Sequence, residues 1–167
     1  MPMGNFSRDN FLIMYHGGLM PDRGIEILID TLTLNPKIYL FLLGDGREDY
    51  IAGLVKYAEK KGVDQRLSIH QAVSYDELWK YVGAADAGMI MIRDAWKSYY
   101  YMLPNKLFEN IQSETPVVCS NFPVITKLVE EYQIGLTCDP KKPEEIHRCI
   151  MRLWSDKEFY GDCKGNL

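Results

Sequence analysis

Six consecutive apolar residues, Ile38-Tyr39-Leu40-Phe41-Leu42-Leu43, run straight into Gly44-Asp45-Gly46. A strand with one wet face alternates apolar and polar residues. This run does not alternate, so it fits a strand buried on both faces, as in a parallel sheet covered by helices. Further short strands are expected at Phe11 to Tyr15, Arg66 to His70, Ala87 to Ile92, Pro116 to Ser120 and Ile134 to Cys138.

Between these runs the apolar period changes to that of a helix. Ile25, Leu28, Ile29 and Leu32 share one face of Gly24 to Leu34, and Ile51, Leu54, Val55 and Ala58 share one face of Glu48 to Lys61. Gly62 fits a helix C-cap. Ser74 with Glu77 three residues on reads as a capping box opening a helix through about Val82. Further helices are expected over Asn105 to Gln112, Val124 to Tyr132 and Pro143 to Trp154. Pro143 suits a first turn. Strand and helix alternate, with no internal repeat. The expected fold is α/β, a Rossmann-like three-layer parallel sheet of about six strands with helices on both faces. Residues 1–10 read as a linker or an added start, 11–154 as the domain and 155–167 as a C-terminal tail.

Composition narrows the function. The 167 residues are 47% apolar and 25% charged with net charge −4, which argues against nucleic acid because no basic stripe stands out. Lys56, Lys60 and Lys61 fit a solvated helix face. The four cysteines, Cys119, Cys138, Cys149 and Cys163, form no C-x-x-C pair or zinc spacing, a reduced, cytosolic pattern. No apolar run reaches membrane-spanning length, and residues 1–10 lack a signal-peptide core.

Ligands of doubly wound sheets bind beyond the carboxyl ends of the strands. The loops to watch are therefore 16–23, 44–47, 71–74, 93–104 and 120–124. Pro104-Asn105-Lys106-Leu107-Phe108-Glu109 opens a helix whose free N–H groups suit an anion. One turn on, Glu109 can accept hydrogen bonds from a diol. A surface pairing of Glu109 with Lys106 is the alternative. His16-Gly17-Gly18 with Arg23-Gly24 forms a second anion-capable loop, where Arg23 can clamp a diphosphate or simply face solvent. Loop 93–104, with Arg93, Asp94, Trp96, Lys97, Ser98 and Tyr99-Tyr100-Tyr101, reads as ligand-binding or as a surface contact. Gly44-Asp45-Gly46 lacks the third glycine of a dinucleotide fingerprint, since position 49 is Asp49. His16, His70 and His147 stand in no metal-ligand spacing, and no D-x-D signature occurs.

In order along the chain, Tyr15-His16-Gly17-Gly18-Leu19 with Arg23-Gly24, Leu42-Leu43-Gly44-Asp45-Gly46, Ala84-Ala85-Asp86-Ala87, Pro104 to Glu109, Thr115-Pro116-Val117-Val118, Gly135-Leu136 and Asp139-Pro140 resemble the carboxyl-terminal, donor-binding half of family 4 (group 1) glycosyltransferases. The resemblance covers about Tyr15 to Trp154. It implies one half of a GT-B fold, holding a UDP-, GDP- or ADP-sugar, with no cofactor and no metal. The acceptor, a saccharide or a lipid-linked one, would be held by a missing amino-terminal domain.

Residue by residue, the resemblance places Glu109 on ribose hydroxyls and Arg23 on the diphosphate. It places the N–H groups of Leu103, Pro104's neighbours Asn105 and Lys106 on phosphate or sugar, and Val73 against the base. Gly17 and Gly18 belong to the opening loop, Gly18 standing where the family has an arginine. The first glutamate of the family's Glu-x(7)-Glu motif falls on Tyr101, so sugar recognition here differs or is lost. No residue is assigned a catalytic role.

The implied activity is hexosyl transfer, with retention of anomeric configuration, in surface polysaccharide assembly. The implied location is cytoplasmic, with any attachment to the inner membrane face coming from the full-length protein. The isolated domain is expected to turn over little. A sugar-nucleotide epimerase of the same architecture is the second reading, opposed by Tyr101 in place of an acid. A non-catalytic interaction module that kept the fold is the third.

Overall fold

The computed structural model describes residues 6–7, 9–93 and 100–167. The chain alternates strand and helix in the order β1 (Phe11–His16), α1 (Ile25–Leu32), β2 (Ile38–Leu43), α2 (Glu48–Lys61), β3 (Leu67–His70), α3 (Tyr75–Val82), β4 (Ala87–Ile90), α4 (Asn105–Gln112), β5 (Val117–Ser120), α5 (Pro123–Tyr132), β6 (Gly135–Cys138), α6 (Pro143–Ser155) and α7 (Lys157–Gly165). The six strands form one parallel sheet in the order β3-β2-β1-β4-β5-β6. This is a Rossmann-like architecture, as expected, and the winding reverses at β1, between β2 and β4.

Every residue of β1 and β2 is buried, which accounts for the unbroken apolar runs. The two strands pair in full register from Phe11 opposite Ile38 to His16 opposite Leu43. Phe11, Ile13, Tyr15, Ile38, Leu40 and Leu42 face a layer built from α1, α2, α6 and α7. Leu12, Met14, Tyr39, Phe41 and Leu43 face the opposite layer beside Val82 of α3, and Leu107 of α4 with Ile125 and Val129 of α5 extend that side over β4 and β5. A fully buried aliphatic or aromatic side chain contributes about 1.5–3 kcal/mol, so the two-sided burial of β1 and β2 dominates the fold's stability.

Three details differ from the sequence expectation. Residues 157–165, read as part of a tail, form α7, whose Cys163 is buried in the core and whose Tyr160 hydroxyl donates to the Asp86 carbonyl at 3.0 Å. Asp156 caps this helix by accepting from the Phe159 N–H at 3.0 Å. Met91 and Ile92 are buried but lie outside β4, and the Ser120 hydroxyl reaches the Ile90 and Ile92 carbonyls at 3.2 and 2.8 Å where the ladder ends. Ser74 precedes α3 as expected, but its hydroxyl donates to the Glu77 carboxylate at 3.0 Å and accepts no backbone N–H as it would in a capping box. Gly62 does cap α2, with φ 68°.

The loops after β1 and β2 stay zipped together beyond the strands. The Gly17 N–H donates to the Leu43 carbonyl and the Leu19 N–H to the Asp45 carbonyl, both at 2.8 Å. This approach leaves no room for a side chain at position 44, where a Cβ would lie 1.8 Å from the Gly17 carbonyl oxygen. Gly44→Ala is expected to destabilise the protein by about 1–3 kcal/mol through this overpacking. Gly53→Ala, in the middle of α2 with open space around it, is expected to stabilise by about 0.5–1 kcal/mol. Urea denaturation of the two variants beside the parent checks both signs.

Candidate nucleotide site at the carboxyl ends of the strands

β1 delivers His16 to the rim of the sheet at the point where the winding reverses, and α4 starts beside it. His16 is 3% exposed, yet its Nε2 lies 2.9 Å from Glu109 Oε2. The acid one turn into α4 is therefore held by a buried imidazole at the end of β1. The surface pairing of Glu109 with Lys106 alone does not form the site. The Lys106 ammonium turns back over β1, 4.9 Å from the centre of the Tyr15 ring. It also fills the space that a side chain on Gly17 would need: a Cβ there would come within 2.9 Å of Lys106 Nζ, and Gly17 holds φ +107°. The Tyr15 hydroxyl donates to the Gly18 carbonyl at 2.8 Å and fixes the glycine turn from below.

Two chambers open above this floor and share Gly17, Gly18 and Glu109. The first, about 290 Å³, is lined by His16, Leu43, Gly44, Asp45, Ala72, Val73 and Leu78 as well. It is largely apolar, and Asp45 shapes it by accepting from the Ala72 N–H at 3.1 Å. The second, about 370 Å³, is lined further by Met20, Arg23, Met102, Leu103, Pro104, Asn105 and Lys106. It brings two cations to the start of α4, where Pro104 occupies the N-cap position without capping through a side chain. An apolar slot, an acid at the junction and a cationic end at a helix N-terminus match the parts of a nucleoside diphosphate in order: base, ribose, phosphates.

Electrostatics follow burial. Lys106 is pushed down to about 8 by burial first, then by the Arg23 charge, with Glu109 pulling it back up. Burial also pushes the Tyr15 hydroxyl up to about 12, with Arg23 opposing. His16 is held below its ordinary value by burial, against its hydrogen bond and attraction to Glu109 and with Lys106 adding to the shift.

Of the residues singled out from the sequence, Gly17, Gly18, Arg23, Val73, Leu103, Pro104, Asn105, Lys106 and Glu109 all line this double chamber. Tyr101 does not: it is 75% exposed and outside the lining of both chambers. Asp94, Trp96, Lys97, Ser98 and Tyr99 lie outside the described residues. Sequence reasoning passed over His16 as a partner for Glu109, and Asp45 and Leu78 as wall residues. The available signal for His16 was a polar residue ending a wholly apolar strand directly before Gly17-Gly18. Among the described residues, no group of three or more His, Cys, Asp or Glu side chains is arranged to hold a metal ion. No helix among them is long and apolar enough to cross a membrane.

The depressed His16 value gives a pH signature. The unfolded chain protonates near the ordinary histidine value of about 6.5, and the folded one lower. Between those two values the unfolded state binds more protons, so this contribution to stability is present above about pH 6.5 and is lost as pH falls through the folded value. The expected outcome is a fall in melting temperature between pH 7 and pH 5 that is shallower in His16→Gln, measured by circular dichroism.

With this geometry in place, the comparisons are specific. The model of the family described as glycosyl transferases group 1 matches residues 3–166. The lipopolysaccharide core biosynthesis glycosyltransferase LpsE of Rhizobium meliloti is 26% identical over 148 residues, which cover 89% of this chain and 41% of that protein. The chain thus spans about two-fifths of the length of this curated relative. The crystal structure of Anabaena Alr3699/HepE in complex with UDP superposes with a TM-score of 0.81 at 21% identity, over 95% of this chain and 43% of the other. The C-terminal domain of LpcC, a glycosyl transferase group 1 family protein from Francisella tularensis, superposes with a TM-score of 0.72 at 18% identity, over 93% of this chain and 81% of the other. The two structures share the fold, and the family match extends over nearly the whole sequence: the chain belongs to the group 1 glycosyl transferases.

Proposed function

We propose that this chain is the donor-binding domain of a glycosyltransferase that moves a hexose from a nucleoside-diphosphate sugar to a saccharide or lipid-linked acceptor. The observation that carries the reading is the line-up of an apolar chamber, the His16–Glu109 pair and a chamber holding Lys106 and Arg23 at the start of α4. In this reading the base enters between Val73, Leu78 and Leu43. Glu109, oriented by His16, accepts the ribose hydroxyls. Arg23, Lys106 and the first N–H groups of α4 receive the diphosphate. Stabilising the leaving diphosphate with fixed positive charge is what such a site contributes to transfer, and it needs no metal.

The UDP bound to Alr3699/HepE supports a nucleotide ligand, and the role of LpsE supports a place in surface polysaccharide assembly. A second, acceptor-holding domain completes the enzyme in this proposal, on the cytoplasmic side of the membrane. Transfer proceeds with retention, and the isolated chain turns over little. Tyr101, where the family's first glutamate falls, lies outside the lining of both chambers, so sugar selectivity rests on other residues.

Calorimetry with UDP, GDP and ADP tests the reading. Binding of at least one at sub-millimolar concentration is expected. No binding of any by a folded chain at millimolar concentration overturns it. A charged-group hydrogen bond contributes about 1.5–3 kcal/mol, so Glu109→Ala is expected to weaken the preferred nucleotide at least about tenfold. Lys106 titrates near 8 in the empty site, and a diphosphate beside it raises that value. Binding at pH 8 is therefore expected to take up protons, and affinity to fall from pH 7 to pH 9. Titrations in buffers of different ionisation enthalpy measure the uptake, which Lys106→Met abolishes.

A further inference from the structure

At the β6 edge of the sheet, a cavity of about 450 Å³ that shares no lining residue with the two chambers opens between β6 and α6. Its lining is Leu136, Thr137, Cys138, Glu145, Arg148, Cys149 and Arg152. Cys138, the last residue of β6, is buried in the main core, and half-buried Cys149 of α6 packs against that core. The Cys149 thiol points at the end of β6, with its sulfur 3.9 Å from the Thr137 carbonyl oxygen. Two reduced thiols from different elements thus face one solvent-connected cavity, flanked by two guanidinium groups one residue before and one turn after Cys149.

We propose that Cys149 and Cys138 form an oxidisable dithiol, with Cys149 the peroxide-reactive thiol and Cys138 the thiol that resolves it into a disulfide between α6 and β6.

The chemistry follows from the surroundings of each sulfur. Reaction with an oxidant requires the thiolate and access to it. Contact with the Cys138 thiol draws Cys149 below its ordinary value, with burial and the Glu145 carboxylate opposing and Arg148 and Arg152 assisting. Contact with Cys149, then burial, pushes Cys138 up, and Cys138 is buried while Cys149 is half-buried, so Cys149 is the member an oxidant reaches first. The Cys149 thiolate attacks one oxygen of a peroxide. The O–O bond breaks, hydroxide departs, and the sulfur becomes a sulfenic acid, oxidised by two electrons while the peroxide is reduced. The Cys138 sulfur then attacks the Cys149 sulfur. The S–S bond forms as the S–O bond breaks, and the Cys138 proton leaves with the hydroxyl group as water. Once Cys149 is oxidised it no longer carries the negative charge that held the Cys138 proton in place. The other two thiols lack this setting: Cys119 and Cys163 are fully buried, and burial pushes both up.

The experiment treats the intact 167-residue chain with hydrogen peroxide and maps its peptides without reduction. A single linked pair, Cys138 to Cys149, lighter by two hydrogens and reopened by dithiothreitol, is expected. In Cys138→Ser the link is lost and dimedone labels Cys149. A second measurement needs no variant: the pH dependence of Cys149 alkylation by iodoacetamide is expected to have its midpoint below the ordinary thiol value of about 8.5. The proposal is overturned if Cys138 and Cys149 survive peroxide as well as Cys119 does, if a different pair links, or if the alkylation midpoint lies at or above the ordinary value.

Discussion

The structure depends on the position of β1. This strand is buried along its whole length and hydrogen-bonded on one side to β2 and on the other to β4. The chain winds outward in opposite directions from those two neighbours. At the top of β1 the connecting loops must therefore part, and the crevice between them is where a ligand fits. On the β2 side the loops remain zipped through backbone bonds that only glycine at positions 44 and 46 permits. On the β4 side α4 approaches with its N-terminus toward the opening. His16 occupies the junction and ties the two sides together through Glu109.

The overall charge of −4 says little about this crevice. Burial makes Lys106 costly to charge, and the nearby Arg23 charge adds to that cost. Their mutual repulsion is held in place by packing around Tyr15, Gly17 and the start of α4. A polyanion relieves it, which is how a pre-formed site favours phosphate without a compensating change of shape. The apolar chamber beside Val73 and Leu78 adds a wall that water wets poorly, with the Glu109 carboxylate at its mouth. In the proposed function, charge selects the phosphate end of the ligand and shape the base end.

Much of the fold was legible along the chain because both signals are local. Ile38 to Leu43 shows two-sided burial through lack of alternation, and Ile25, Leu28, Ile29 and Leu32 show one-sided burial through helical spacing. Where the local signal was weak, the reading missed. Lys157 to Gly165 has two glycines and little apolar period, yet forms α7, because Tyr160 and Cys163 find partners across the core. Met91 and Ile92 look like strand, but β4 ends at Ile90, and a serine hydroxyl from the end of β5 takes the Ile90 and Ile92 carbonyls. Ser74 and Glu77 stand at capping-box spacing, but their side chains bond each other. In the site, the helix-start proline, Glu109 and the glycine loop were visible as types in a pattern. The partner of Glu109 was not, since 93 residues separate it from His16.

The sequence by itself determined the alternation of buried strands and amphipathic helices, the glycines that let two loops touch, and the set of side chains available for phosphate and diol. Those properties depend on residues within a turn or two of each other. The tertiary structure alone decided that Glu109 pairs with His16, that Lys106 folds back over Tyr15 beside Arg23, that Tyr101 stays out on the surface, and that Cys138 and Cys149 face one cavity. Each of these rests on how far the helices rotate and slide as they pack on the sheet. Close packing of the whole core sets that quantity, and no local pattern encodes it.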